Sequence, residues 1–308
     1  MALHDESFRP GNQVTSEELF VSSEGTEVNF LHRRNGSSTL VIWFSAFTRG
    51  PHLGRVLKVT PGFHGYKFSR SHDQFDWLLV RDSWGYTNDG TYYGGRAGDL
   101  FVERAVSELV RKLIAEYRAQ DPATKVVAMG SSMGAYAAIK FAVMNGIAAL
   151  GWSPHLDMEI AMKSCGRGPW VRYCLEDADD ASRARYLHRL QDVVNEHAGN
   201  LPPLIVQATA DDHFVYPEQV VPFVESYISA GGKVQLDLRD RGGHTSRYAP
   251  DEYLVEALTC LAEARDLDID RMRALPPRIP TSRERLERSL QSLEAVVLRI
   301  LIALRVRR

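Results

Sequence analysis

The chain has 308 residues, 44% of them hydrophobic, and a formal net charge of −2. That is enough apolar material for one large domain with appendages, and the balance of charge gives no reason to expect a nucleic-acid partner. Its three cysteines, Cys165, Cys174 and Cys260, show no paired spacing, which argues against a disulfide framework and for a reducing compartment.

The start, Met1-Ala2-Leu3-His4-Asp5-Glu6, is polar and acidic where a secretory signal needs a basic start and an apolar stretch. A cytoplasmic protein is expected, with residues 1–14 disordered. Glu18 to Val21 and Glu27 to Leu31 read as strands, and Asn35-Gly36 supplies a turn before a strand from Leu40 to Phe44. From Thr48 to Asp73 the chain is rich in Gly, Pro, His and Arg without a clear period, as in a loop with short elements. A buried strand follows from Phe75 to Val80. An amphipathic helix then runs from about Asp99 to Ala119, with Leu100, Val102, Ala105, Val106, Leu109, Leu113 and Ile114 on one side. Strands and helices then alternate: Val126 to Met129, a helix from Ala135 to Met144, Ile147 to Leu150, Leu204 to Ala208, a helix from Val220 to Ile228, Val234 to Leu238 and a helix from Tyr253 to Leu261. Such alternation predicts an α/β domain over residues 15–270 with a mainly parallel sheet covered on both faces.

Residues 153–200 form an insertion with a helix of its own over about Ala181 to His197. Within it, Glu176-Asp177-Ala178-Asp179-Asp180 reads as a solvated acidic turn, because histidines at ligand spacing are absent and no metal is expected. Residues 271–308 differ in kind. Pro276-Pro277-Arg278-Ile279-Pro280 makes a stiff linker, and Thr281 with Glu284 forms a capping box for a last helix. Leu286, Leu290, Leu293, Val297, Ile300 and Leu304 line one seam of that helix, and the stretch from Arg271 to Arg308 holds ten arginines against three glutamates. Its apolar run is too short to cross a bilayer, which takes about 20 residues. A segment of this kind can dock on its own domain or pair with a second copy, lie on an anionic membrane surface, or stay as a solvated tail.

The chemistry-bearing pattern is Gly130-Ser131-Ser132-Met133-Gly134, a G-x-S-x-G turn between a strand and a helix. Ser132 is the candidate nucleophile. Downstream, Asp211-Asp212-His213-Phe214-Val215 follows one strand and Asp240-Arg241-Gly242-Gly243-His244 follows the next. The order Ser, Asp, His is that of the α/β-hydrolases. His244 would take the proton of Ser132, and an aspartate behind it would hold the imidazole. Asp212 is favoured over Asp211, because Val215 three residues on is an apolar residue that tucks the loop back. Met133 and either Ala46 or Phe47 would supply oxyanion N–H groups, each contributing roughly 3 kcal/mol.

Beyond this general pattern, Phe44-Ser45-Ala46-Phe47, Gly90-Thr91-Tyr92-Tyr93, Gly130-Ser131-Ser132, Asp211-Asp212 and Gly242-Gly243-His244 resemble, in this order, blocks of the serine-dependent capsular polysaccharide O-acetyltransferases of the meningococcal serogroup A type. The resemblance covers about Leu40 to His244. It implies an α/β-hydrolase fold with a small cap, made by the 153–200 insertion, and Asp212 as the triad acid. It also implies acetyl-CoA as acyl donor and a polysaccharide acceptor. Met133 stands where that family has lysine, and Ala135 where it has glycine. Trp84, Tyr86, Tyr92 and Tyr93 are candidates to stack on a sugar face or, alternatively, to pack their long loop onto the body. Arg96, in the Gly94 to Gly98 turn, is a candidate for phosphate contact. Hydrolysis of an ester is the expected reaction of this fold, with no cofactor required, and the resemblance implies an O-acyl, here acetyl, ester on a glycan as its substrate. Acetyl transfer from acetyl-CoA is the alternative the resemblance implies, and a non-catalytic partner in a glycan assembly or export machine is a third reading.

Overall fold

In the strand Thr39–Phe44, Leu40, Ile42 and Phe44 join one buried cluster while Val41 and Trp43 join another. Successive side chains of a strand point to opposite faces, so a continuous apolar run requires cover on both. The computed structural model describes residues 17–47, 63–85, 90–163, 168–244 and 248–277. Within them lies an eight-stranded sheet of β1 (Glu18–Val21), β2 (Glu27–Arg33), β3 (Thr39–Phe44), β4 (Asp76–Arg81), β5 (Lys125–Ser131), β6 (Ala148–Trp152), β7 (Leu204–Thr209) and β8 (Val234–Arg239). The order across the sheet is β1-β2-β4-β3-β5-β6-β7-β8. β2 pairs antiparallel with β1 and β4, and all other neighbours are parallel.

One face is covered by α2 (Phe101–Gln120) and α3 (Met133–Asn145), joined by α8 (Val221–Ser229). Six of the apolar residues expected on one side of α2 are buried there: Val102, Ala105, Val106, Leu109, Leu113 and Ile114. The other face is covered by the short α1 (Tyr66–Ser71), α9 (Asp251–Ala262) and α10 (Ile269–Arg273). Between β6 and β7 the described residues make four short helices: α4 (Met158–Lys163), α5 (Gly168–Cys174), α6 (Asp180–Leu187) and α7 (Arg189–Glu196). The single helix expected over 181–197 is therefore two. The chain turns at His188, so that Tyr186 reaches the Thr91 carbonyl while Leu190, Val193 and Val194 bury in the main core. The acidic turn is put to use as well, since Asp179 caps α6 by accepting the Ser182 N–H at 2.7 Å.

The basic helix expected over 281–308, its capping box and the linker beyond Pro277 lie outside the described residues, as do residues 1–14 and Tyr86. Among the described residues no helix is long and apolar enough to cross a membrane, and no cluster of three His, Cys, Asp or Glu side chains is arranged to hold a metal ion.

Candidate active site

Ser132 sits between the end of β5 and the first turn of α3, with φ 52° and ψ −120°. A non-glycine residue held there is strained, and strain persists only where the surroundings fix it. Here the Ser132 N–H donates to the Trp152 carbonyl at the end of β6. A Cβ at Gly130 would run into the Gly134 carbonyl, and one at Gly134 into the Phe44 carbonyl oxygen. The two glycines therefore let α3 begin directly against the end of β3, where Ser45, Ala46 and Phe47 follow.

Asp212 and His244 arrive from the ends of β7 and β8. His244 Nε2 lies 3.0 Å from Ser132 Oγ, and His244 Nδ1 lies 3.0 Å from Asp212 Oδ2. The carboxylate is well covered and the imidazole half-exposed. The Asp212 carbonyl accepts the N–H of Val215, which is buried. Asp211 points elsewhere. Its two oxygens accept the N–H groups of Gly242 and Gly243 at 2.9 and 2.8 Å, and these bonds hold its carboxyl below the usual carboxylate range. Gly243 has φ 60° and its carbonyl accepts from Thr209 Oγ1. The paired aspartates thus divide the work: one side chain meets the imidazole, and the other clamps the loop that carries it.

Met133 opens α3, where the N–H groups of a first turn have no acceptor within the helix. Ala46 and Phe47 are half-buried at the end of β3. The aromatic candidates for sugar stacking or for packing their loop make the following contacts. Tyr93 is fully buried and its hydroxyl lies within reach of the Ser45 and Val80 carbonyls, at 3.1 and 3.0 Å. Tyr92, 3% exposed, turns its hydroxyl toward His155 Nδ1 at 2.9 Å. Trp84 donates from Nε1 to the Glu27 carbonyl and packs edge-on against Phe101. Arg96 pairs with Glu176 at 2.7 Å and lies over the Tyr173 ring, which ties its turn to the segment between β6 and β7. All four make contacts that hold their turn to the body or to that segment.

What organises that loop is Asp82, which the sequence reading did not single out. It is 2% exposed, and it accepts the N–H groups of Thr91, Tyr93 and Trp84 and the Thr91 hydroxyl. Burial pushes its carboxyl above the usual range against the pull of these bonds. The bonds hold Tyr92 and Tyr93 at φ 54° and 52°. Behind Ser132, the buried Lys140 of α3 meets Glu103 of α2 at 2.9 Å, and Arg189 of α7 meets the same carboxylate at 2.8 Å. Burial raises the Glu103 carboxyl, but its two cations outweigh that and hold it low. His155 was missed too. It follows Trp152-Ser153-Pro154 at the C-terminal end of β6, the edge of a parallel sheet where ligands and reacting groups gather.

No protein-family model and no curated protein sequence matches this chain. Solved structures do. The capsule O-acetyltransferase of Neisseria meningitidis serogroup A superposes with a TM-score of 0.62 at 17% identity, covering 81% of this chain and 97% of that one. The chain has the α/β-hydrolase fold. Two further neighbours share it. Acylaminoacyl peptidase from Pyrococcus horikoshii matches at TM-score 0.58 and 14% identity, over 83% of this chain but 44% of its own. The fluorophosphonate-binding serine hydrolase FphF of Staphylococcus aureus matches at TM-score 0.51 and 16% identity, over 82% and 99%. In this α/β-hydrolase fold, Ser132, Asp212 and His244 lie in the turns beyond the C-terminal ends of the parallel strands β5, β7 and β8.

Proposed function

We propose that the protein carries out serine-dependent O-acyl ester chemistry, with an acetyl ester of a glycan as the substrate class and Ser132 as the nucleophile of a covalent acyl-enzyme. The observation that carries this reading is the pair of 3.0 Å contacts linking Ser132 Oγ, His244 and Asp212, with the serine held in a strained turn. Ser132 Oγ attacks the acyl carbon as its proton passes to His244 Nε2. Asp212 stabilises the imidazolium, and the N–H groups of Met133 and of Ala46 or Phe47 receive the charge on the carbonyl oxygen. The protonated His244 then gives its proton to the leaving oxygen. Water, activated by the same imidazole, resolves the acyl-enzyme as a carboxylic acid and frees Ser132.

A second reading replaces water by a sugar hydroxyl and takes the acyl group from acetyl-CoA. It is favoured by the likeness to the meningococcal capsule O-acetyltransferase over nearly that protein's whole length and by the complex of a mutant of that neighbour with CoA. The two reactions share the acyl-enzyme and differ in whether water is kept from it.

Incubation with p-nitrophenyl acetate and, separately, with acetyl-CoA in the presence of a thiol reagent tests both readings. Ester turnover that disappears in Ser132→Ala supports the hydrolase, and Ser132-dependent thiol release from acetyl-CoA supports the transferase. If the Ser132→Ala protein matches the wild type in both assays, the proposal fails and the reading as a non-catalytic partner takes its place.

A further inference from the structure

His244 is held by two hydrogen bonds, one at each ring nitrogen. Two such bonds define an axis running from Asp212 to Ser132, but they leave the ring free to roll about it. The Asp211 clamp fixes the backbone at Gly242 and Gly243 but does not touch the imidazole, so it does not set the plane of the ring. Rolling matters, because the Nε2 lone pair must stay in line with the serine proton for transfer to occur.

A second histidine lies against this imidazole. The His155 ring is tilted by 34° on the His244 ring with centroids 4.8 Å apart, and His155 is 2% exposed. His155 is held from several sides. Its Nδ1 lies 2.9 Å from the Tyr92 hydroxyl, and its N–H donates to the Ser132 carbonyl. The Ser153 N–H donates to the Gln207 carbonyl in β7. The N–H groups of Leu156 and Asp157 both donate to Gln219 Oε1, and Gln219 Nε2 donates to the Phe214 carbonyl, two residues beyond Asp212. The loop that carries His155 is thereby bonded to the nucleophile's residue and, through Gln219, to the segment that carries the acid.

We propose that His155, braced by Tyr92, is a positioning residue that fixes the plane of the His244 imidazole between Ser132 and Asp212. This rests on the reading of the site given above. It also gives Tyr92 a role that differs from sugar stacking: its strained backbone and inward hydroxyl serve the catalytic histidine through His155.

Steady-state kinetics on p-nitrophenyl acetate, with thermal unfolding alongside, test the assignment in His155→Ala, His155→Phe and Tyr92→Phe. His155→Ala is expected to lower kcat by roughly ten- to a hundredfold with KM nearly unchanged, since the bound ester is intact and only the alignment is lost. His155→Phe keeps a flat ring against His244 and is expected to recover most of kcat. Tyr92→Phe removes one hydroxyl and should lower kcat by a smaller factor in the same direction. A folded His155→Ala protein with wild-type kcat overturns the proposal, and so does a folded His155→Phe protein as slow as the alanine variant. Should His155→Ala fail to fold, wild-type kcat in Tyr92→Phe together with a slow, folded His155→Phe overturns it. Wild-type protein is labelled with a fluorophosphonate beside Ser132→Ala: absence of Ser132-dependent labelling means the site reading itself has failed and takes this inference with it, whereas normal labelling with unaffected His155 variants defeats the inference alone.

Discussion

Replacing Asp82 by alanine removes the acceptor for two fully buried N–H groups, Thr91 and Tyr93, and for the half-buried Trp84. An orphaned buried donor costs about 1–3 kcal/mol, so the two buried ones alone set a cost of about 2–6 kcal/mol. We expect a net loss of about 3 kcal/mol in urea unfolding, with ester turnover falling further than the unfolded fraction explains, because the turn also seats Tyr93 beneath the Ser45 carbonyl. Asp82→Asn keeps one acceptor oxygen for Thr91 and Tyr93 and should lose only about 1 kcal/mol. The sign of its pH dependence follows from the raised carboxyl. A folded state that holds its proton more tightly than the unfolded chain loses that contribution as pH rises from the ordinary carboxylate range through the raised value. The asparagine variant has no such term, so the stability gap between wild type and Asp82→Asn should narrow as pH rises. An Asp82→Ala protein within about 0.5 kcal/mol of wild type, or a gap that widens with pH, refutes the reasoning.

The paired aspartates should separate by assay. Asp212→Asn is expected to cut kcat for p-nitrophenyl acetate by roughly 10³–10⁴-fold, since the imidazole loses the partner that holds its tautomer. Asp211→Asn, which loosens the Gly242-Gly243 clamp without touching the imidazole, should cost less than about tenfold by misplacement alone. The Asp211 carboxyl is held low by those two N–H groups, so its contribution to stability is present above the ordinary carboxylate range and is lost as pH falls through its folded value. Thermal melts of wild type should therefore decline more steeply on acidification than those of Asp211→Asn. Lys140→Met breaks a buried pair with Glu103 and is expected to cost about 3 kcal/mol in chemical unfolding, with Arg189 still holding the carboxylate; a variant as stable as wild type would show that Arg189 alone suffices.

The central strands were legible because both of their faces are buried, so each reads as an unbroken apolar run between turn residues, as in Leu40 to Phe44 and Leu204 to Ala208. Ser132 was legible because Gly130 and Gly134 mark the only side-chain size that lets α3 start against Phe44. The short helices at Met158–Lys163, Gly168–Cys174 and Ile269–Arg273 were not read, and that at Tyr66–Ser71 was expected only as a short element within a loop. Helices of one or two turns have too few residues to show a period and are held by packing, with Phe68 and Met272 as their anchors. The break at His188 was hidden for a related reason, since apolar spacing continues across it and only the separate contacts of Tyr186 and Leu190 divide the two helices. Tyr92 and Tyr93 invite the opposite error. Aromatic residues beside glycines suggest a binding surface, yet the buried Asp82 turns both rings inward. His155 has no motif around it; its meaning comes from the ring it faces, 89 positions along the chain, and no local pattern carries that information.

The most direct test is intact-protein mass spectrometry after brief exposure to an acetyl donor, with p-nitrophenyl acetate and acetyl-CoA in parallel and Ser132→Ala beside the wild type. A mass gain of one acetyl group, mapped to Ser132 and absent from the variant, is the predicted result, and the donor that produces it tells hydrolase from transferase chemistry. If neither donor yields a Ser132 adduct while His244→Ala, which slows both formation and breakdown of an acyl-enzyme, also traps none with either donor, then the convergence of Ser132, His244 and Asp212 does not serve covalent acyl chemistry and the account is contradicted.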